Sequence, residues 1–154
     1  MKSITVGNYR SDRYYTTIVN VTRQLLLNNN SVSSLDLFVG MGLLEALHVQ
    51  RWRKGQVPYL ENVVKCNLVK ANRILRIFRM HAHDLGLGRR LNGPAKWKGK
   101  VLRFSKSGER ALEEAYSQVF YVTGSHEKFV RRFSGTERRK VPDGGAITAN
   151  SAKS

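Results

Sequence analysis

Apolar residues recur at three- and four-residue spacing through most of residues 11–120, which predicts helices more than strands. Tyr14, Ile18, Val21 and Leu25 form one stripe, so a first helix starts at a cap on Ser11 or Asp12 and reaches about Leu27. The polar run Asn28-Asn29-Asn30-Ser31 ends it. Ser33 or Ser34 caps a short helix over Leu35 to about Val39, and Gly40-Met41-Gly42 separates this from a further helix over Leu43–Lys54. Gly55 closes that segment, and Pro58 is suited to the first position of the next helix, where its missing N–H costs little.

The clearest helical pattern follows. Leu60, Val64, Leu68, Ala71, Leu75, Phe78 and Ala82 fall on one side, while Lys65, Arg73, Arg76 and Arg79 gather nearly opposite, with Lys70 at the edge of that group. Unbroken to Leu85, this spine helix is about 40 Å long at 1.5 Å per residue. Gly86 and Gly88 end it. The next segment, LNGPAKWKGKVLRF, reads as two short extended pieces around Lys98-Gly99-Lys100, a basic β-hairpin whose first arm Pro94 makes irregular or an edge. A last helix, capped by Ser105 or Ser107, runs from about Gly108 to Phe120 and buries Ala111, Leu112, Ala115, Tyr116 and Val119.

These elements predict a mainly α fold: a small helical domain with a helix-turn-helix-like pair, a long amphipathic spine, a short basic hairpin and a disordered C-terminal tail. Residues 1–122 form one basic domain, and residues 123–154 a basic, largely disordered tail in which VPDGGAITANSAKS has neither periodicity nor bulk. No internal repeat is present.

Charge narrows the class of partner. Residues 51–110 hold sixteen Lys and Arg against Glu61, Asp84 and Glu109, a net +13 of the chain's formal +16. A solubilising surface mixes both signs, whereas a one-signed excess in one region is the footprint of polyanion binding driven by counterion release. Lys65, Arg73, Arg76 and Arg79 on the spine suit phosphate contact, as do Arg89, Arg90, Lys96, Lys98, Lys100 and Arg103 around the hairpin. Trp97 and Phe104 between these cations either pack the hairpin onto the domain or stack on unpaired bases.

The segment LDLFVGMGLLEALHVQRWRKGQVPYL, residues 35–60, carries a glycine turn at Gly40 or Gly42, an apolar Val49, and the run Trp52-Arg53-Lys54-Gly55 followed by Pro58. At these points it resembles the phage-repressor-like, Cro-type helix-turn-helix family, over about a sixth of the chain. The resemblance implies that the second helix enters the major groove, with Glu45, His48, Gln50 and Arg51 as base-reading candidates. Gln pairs with adenine, Arg with guanine, and Glu accepts from cytosine. A basic hairpin beside such a pair is similar, at the level of fold analogy, to the wing of winged helices.

Other classes find less support. His81 and His83 diverge on a helix and cannot share a metal as an i, i+4 pair can, so a metal-independent ribonuclease built on them is a minor alternative. With eleven acids in the chain and Cys66 its single cysteine, no metal, cofactor or disulfide is expected. No apolar run approaches the roughly 20 residues that span a bilayer. The expected protein is a cytoplasmic or nucleoid-associated DNA-binding regulator or accessory factor, acting alone or as a homodimer. Alternatives are an RNA-binding or ribosome-associated factor and a protein that docks on an acidic partner.

Overall fold

The computed structural model describes residues 5, 7–92 and 95–132. Its elements are α1 (Tyr15–Asn28), β1 (Ser31–Ser33), α2 (Ser34–Gly40), α3 (Ala46–Arg53), α4 (Leu68–Asp84), β2 (Gly88–Leu91), β3 (Lys96–Trp97), β4 (Lys100–Val101), α5 (Arg110–Ser117) and β5 (Gln118–Tyr121). Single 3-10 turns lie at Tyr9–Ser11 and Leu60–Val63, and 126–132 are helical.

The fold is therefore mixed α and β, which corrects the expectation of a mainly α protein. β5 is the centre of a three-stranded antiparallel sheet, paired with β1 from Ser31↔Tyr121 to Ser33↔Val119 and with β2 from Gly88↔Tyr121 to Leu91↔Gln118. Periodicity concealed β5 because Val119 also fits the stripe of the preceding helix. Gln118, Val119 and Phe120 are buried in succession, as in a strand covered on both faces, and the helix stops at Ser117. Sequence reasoning also missed β1. It is only three residues long and follows directly on the polar turn after α1.

The spine helix begins at Leu68, ten residues later than Pro58 suggests. Asn67 caps it by accepting the Lys70 N–H at 2.8 Å, and its seventeen residues span about 25 Å. Residues 59–63 are drawn away from helix by the 102–106 segment: the N–H groups of Leu60 and Glu61 donate to the carbonyls of Arg103 and Phe104. α3 likewise starts at Ala46 instead of Leu43. Leu43 uses its backbone elsewhere, donating to the Phe38 carbonyl and accepting from the Lys65 N–H, while Leu44 is buried. Of the proposed caps, Ser33 forms a reciprocal capping box with Asp36 on α2. Ser105 does not cap α5; its hydroxyl donates to Glu113 Oε2 at 2.6 Å and accepts from the Gly108 N–H.

α4 lies at the centre of the core. Ile74, Ile77 and Phe78 are wholly buried, as are Ile18 and Leu26 of α1 and Leu37 and Phe38 of α2. Phe78 meets the ring of Phe120 edge-on at 4.9 Å, joining helix to sheet. Part of the segment assigned to the tail also packs here: Phe129 is buried in the same cluster, and a ring nitrogen of His126 lies 2.7 Å from the Leu26 carbonyl oxygen. Pro94 and residues 133–154, on which the irregular hairpin arm and the disordered tail were expected, lie outside the described residues. No helix among the described residues is long and apolar enough to cross a membrane.

Candidate nucleic-acid interface

The hairpin forms where the sequence places it. Lys96 pairs with Val101 and Trp97 with Lys100, and the two turn residues Lys98 and Gly99 have φ of 51° and 80°, the left-handed pair that a two-residue hairpin turn requires. Arg89 and Arg90 are not part of it. They lie on β2, hydrogen-bonded across to β5.

The hairpin is fastened to the end of α3. Gly55 has φ +72° and a Cβ there would sit 2.8 Å from Trp97 Cδ1, so the indole lies directly on that backbone. One strand further on, Trp52 is 1% exposed, donates its indole N–H to the Arg103 carbonyl at 2.7 Å, and packs on Phe104 with ring centroids 4.8 Å apart. Both tryptophans thus hold α3 and the 95–106 segment together. Trp97 remains 39% exposed, with Lys98 Nζ 5.5 Å from its ring centroid.

This docking merges two short basic segments into one surface. Arg51, Arg53 and Lys54 from α3 and its cap, and Lys96, Lys98 and Lys100 from the hairpin, are all exposed, and none forms a salt bridge among the described residues. The exposed side of α3 adds Leu47, at 52% exposure, and Gln50.

Of the base-reading candidates, Gln50 and Arg51 lie on that exposed side. Glu45 is in the N-cap position of α3 and pairs with Lys65 at 2.9 Å; the Lys65 ammonium holds its carboxyl below the usual carboxylate range. His48 is half-buried, with Nδ1 turned inside and no hydrogen-bond partner among the described residues.

The phosphate candidates separate in the same way. Lys65 is not on the spine helix but in the loop before it, paired with Glu45. Arg73 is turned inward onto Asp12, whose side chain is 2% exposed and also accepts the Tyr14 N–H. Arg103 folds back to donate to the Lys106 carbonyl. Arg90 lies 5.6 Å from the ring centroid of Tyr121. Arg76 and Arg79, with Arg89 from β2, line a groove between α4 and α5.

The two histidines do not converge. His81 is 5% exposed, meets Tyr15 edge-on, and burial lowers its pKa to about 4, whereas His83 is exposed on the α5 side of α4. Cys66 is half-buried, and burial raises its thiol pKa. Among the described residues no three His, Cys, Asp or Glu side chains are grouped to hold a metal ion. No protein-family model, curated protein or solved structure matches the chain.

Proposed function

We propose that this chain binds duplex DNA through the α3–hairpin surface, as a small regulator or accessory factor. The observation that carries the reading is the seat of Trp97 on Gly55, which brings together six exposed cations from two segments, none of them in a salt bridge among the described residues. Such a patch binds phosphates through counterion release. Gln50 and Arg51 are then the side chains that reach base edges, as the helix-turn-helix resemblance implies. The Trp97 indole has one ring edge against Gly55, which supports its role as the contact that seats the hairpin on α3 over that of a stacking platform.

The strand and helix order adds an analogy at the level of fold. α1, β1 and α2, followed by α4, β2 and a central β5 reached through a connection bearing a basic hairpin, follow the order of a winged helix with residues 41–67 inserted between its second and third helices. In that order α4 takes the place of the reading helix. Here α5, which belongs to the same connection, lies along the exposed side of α4 and narrows it to a groove. The α3–hairpin surface, by contrast, is exposed among the described residues.

Titrating a labelled duplex, a single strand and an RNA hairpin at several salt concentrations tests this. The expected result is tightest binding to the duplex, weakening steeply with salt. A slope near zero, or preference for either RNA or single strand that Trp97→Ala abolishes without unfolding the protein, overturns it.

A further inference from the structure

The groove between α4 and α5 is a second concave feature with its own chemistry. It encloses about 860 Å³, within the roughly 300–1,000 Å³ of small-molecule sites. Its floor is apolar, with Leu75, Met80, Leu112 and Ala115, while Arg79 of α4 and Arg89 of β2 face it from adjacent elements. Arg89 is held in place by its neighbour: its Nε donates to Oε1 of Gln118, a side chain 1% exposed, at 3.1 Å. Partial burial and then the nearby Arg79 charge lower the Arg89 pKa, against an opposing pull from Glu114. Like charges are thus brought together at the wall of a pocket by a buried anchor.

The acids of the groove do not fully neutralise this pair. Asp84 is engaged with Arg10 at 2.8 Å and Glu114 with Arg110 at 3.1 Å, leaving Glu109 at the rim. A dianionic phosphate placed between Arg79 and Arg89 relieves their repulsion and gains charge-assisted hydrogen bonds. The apolar floor beside it offers area for a flat ring. His83 lines the same side of α4.

We propose that the α4–α5 groove binds a nucleotide through its phosphate, between Arg79 and Arg89, with the base over Leu75, Met80 and Leu112. The nucleotide is either free or the phosphorylated end of a strand. This inference stands independently of duplex binding on the α3–hairpin surface.

Adenosine monophosphate is the probe, with adenosine and inorganic phosphate as controls, and the readouts are thermal stabilisation and calorimetric affinity on the full chain. The expected result is stabilisation by the monophosphate, not by adenosine, and less by phosphate alone. Arg79 is exposed, so Arg79→Gln keeps the fold and weakens the affinity roughly tenfold, the size of one lost charge-assisted hydrogen bond. A double Lys98→Gln, Lys100→Gln variant keeps full affinity for the monophosphate, which separates this site from the duplex surface. Competition by 5′-phosphorylated against 5′-hydroxyl oligonucleotides then distinguishes a strand end from a free nucleotide. No stabilisation of the wild-type chain by the monophosphate overturns the proposal. So does equal stabilisation by phosphate alone, or a monophosphate affinity unchanged in both Arg79→Gln and Arg89→Gln.

Discussion

α4 carries four Lys and Arg and the β3–β4 hairpin three, and the two elements use them differently. On α4, Arg73 is turned onto Asp12 and Arg79 faces a groove closed on one side by α5, because a helix that supplies the centre of the core has neighbours along most of its circumference. The hairpin has two residue pairs and no core of its own, and Trp97 against Gly55 seats its outer part on the end of α3. An isolated two-stranded hairpin is marginally stable in water, so that contact decides whether its lysines form a surface or a loose loop. Charge density alone does not say which cations are available. The number of walls around them does.

The sharpest way to test the contrast is to remove one cation from each region and follow stability and binding together. Arg73→Gln leaves Asp12 without its cation at a site 2% exposed, and breaking a buried pair by deleting one member costs about 3–5 kcal/mol. Denaturant unfolding is expected to show that loss, while the variant that remains folded at low temperature keeps the wild-type salt slope on duplex DNA. A changed slope with unchanged stability would place Arg73 on the phosphate surface instead.

The inward side of α4 gives the next largest effect, through pH. His81 is buried, and that burial, partly opposed by Asp84 and reinforced by Arg10, lowers its pKa to about 4 from an ordinary 6.5. The unfolded chain therefore binds a proton between these values that the folded chain does not, so stability is complete above about pH 6.5 and falls as pH drops towards 4. The slope approaches 1.4 kcal/mol per pH unit and the total is roughly 3 kcal/mol. Chemical denaturation at pH 7, 6 and 5 measures it, and His81→Leu is expected to flatten the profile in this window.

Much of this contrast was legible in the sequence, and its limits have physical causes. The stripe Ala71, Leu75, Phe78 and Ala82 is the inward face of α4, and Lys98-Gly99 is the hairpin turn, because both depend on local spacing and local backbone preference. The inward turn of Arg73 was not legible: it depends on Asp12, sixty-one residues away in the chain. The same holds for the loop over 59–63, which is shaped by backbone hydrogen bonds to residues 103 and 104, and for β5, whose partners come from residues 31–33 and 88–91. Nothing in the hydrophobic pattern reveals that Trp97 packs on Gly55, forty-two residues earlier in the chain.

That adjacency can be broken directly. Gly55→Val adds a branched side chain at φ +72°, where only glycine is unstrained, and places its Cβ against the indole of Trp97. The expected cost is about 1–3 kcal/mol from the backbone and the clash together. Because α4 and the sheet are untouched, the variant folds, but the hairpin separates from α3 and duplex affinity falls. An increase in Trp97 exposure to a fluorescence quencher reports the separation, and an unchanged affinity would show that the two segments act independently.

The smallest effect on stability is also the finest discrimination within the basic surface. Lys100 and Arg103 are three residues apart in the hairpin segment, and composition treats them alike. Lys100 is exposed and in no salt bridge among the described residues, whereas the Arg103 guanidinium donates to the Lys106 carbonyl and its backbone carbonyl receives the Trp52 indole. A phosphate contact contributes about 0.9 to the slope of log affinity against log salt on duplex DNA. Lys100→Gln is expected to lower the slope by roughly that amount, with stability within about 0.5 kcal/mol of wild type. Arg103→Gln is expected to leave the slope where it was, since its charge is directed at its own chain. Equal changes in slope for the two variants would mean that Arg103 releases the carbonyl when DNA arrives, and that the surface rearranges on binding.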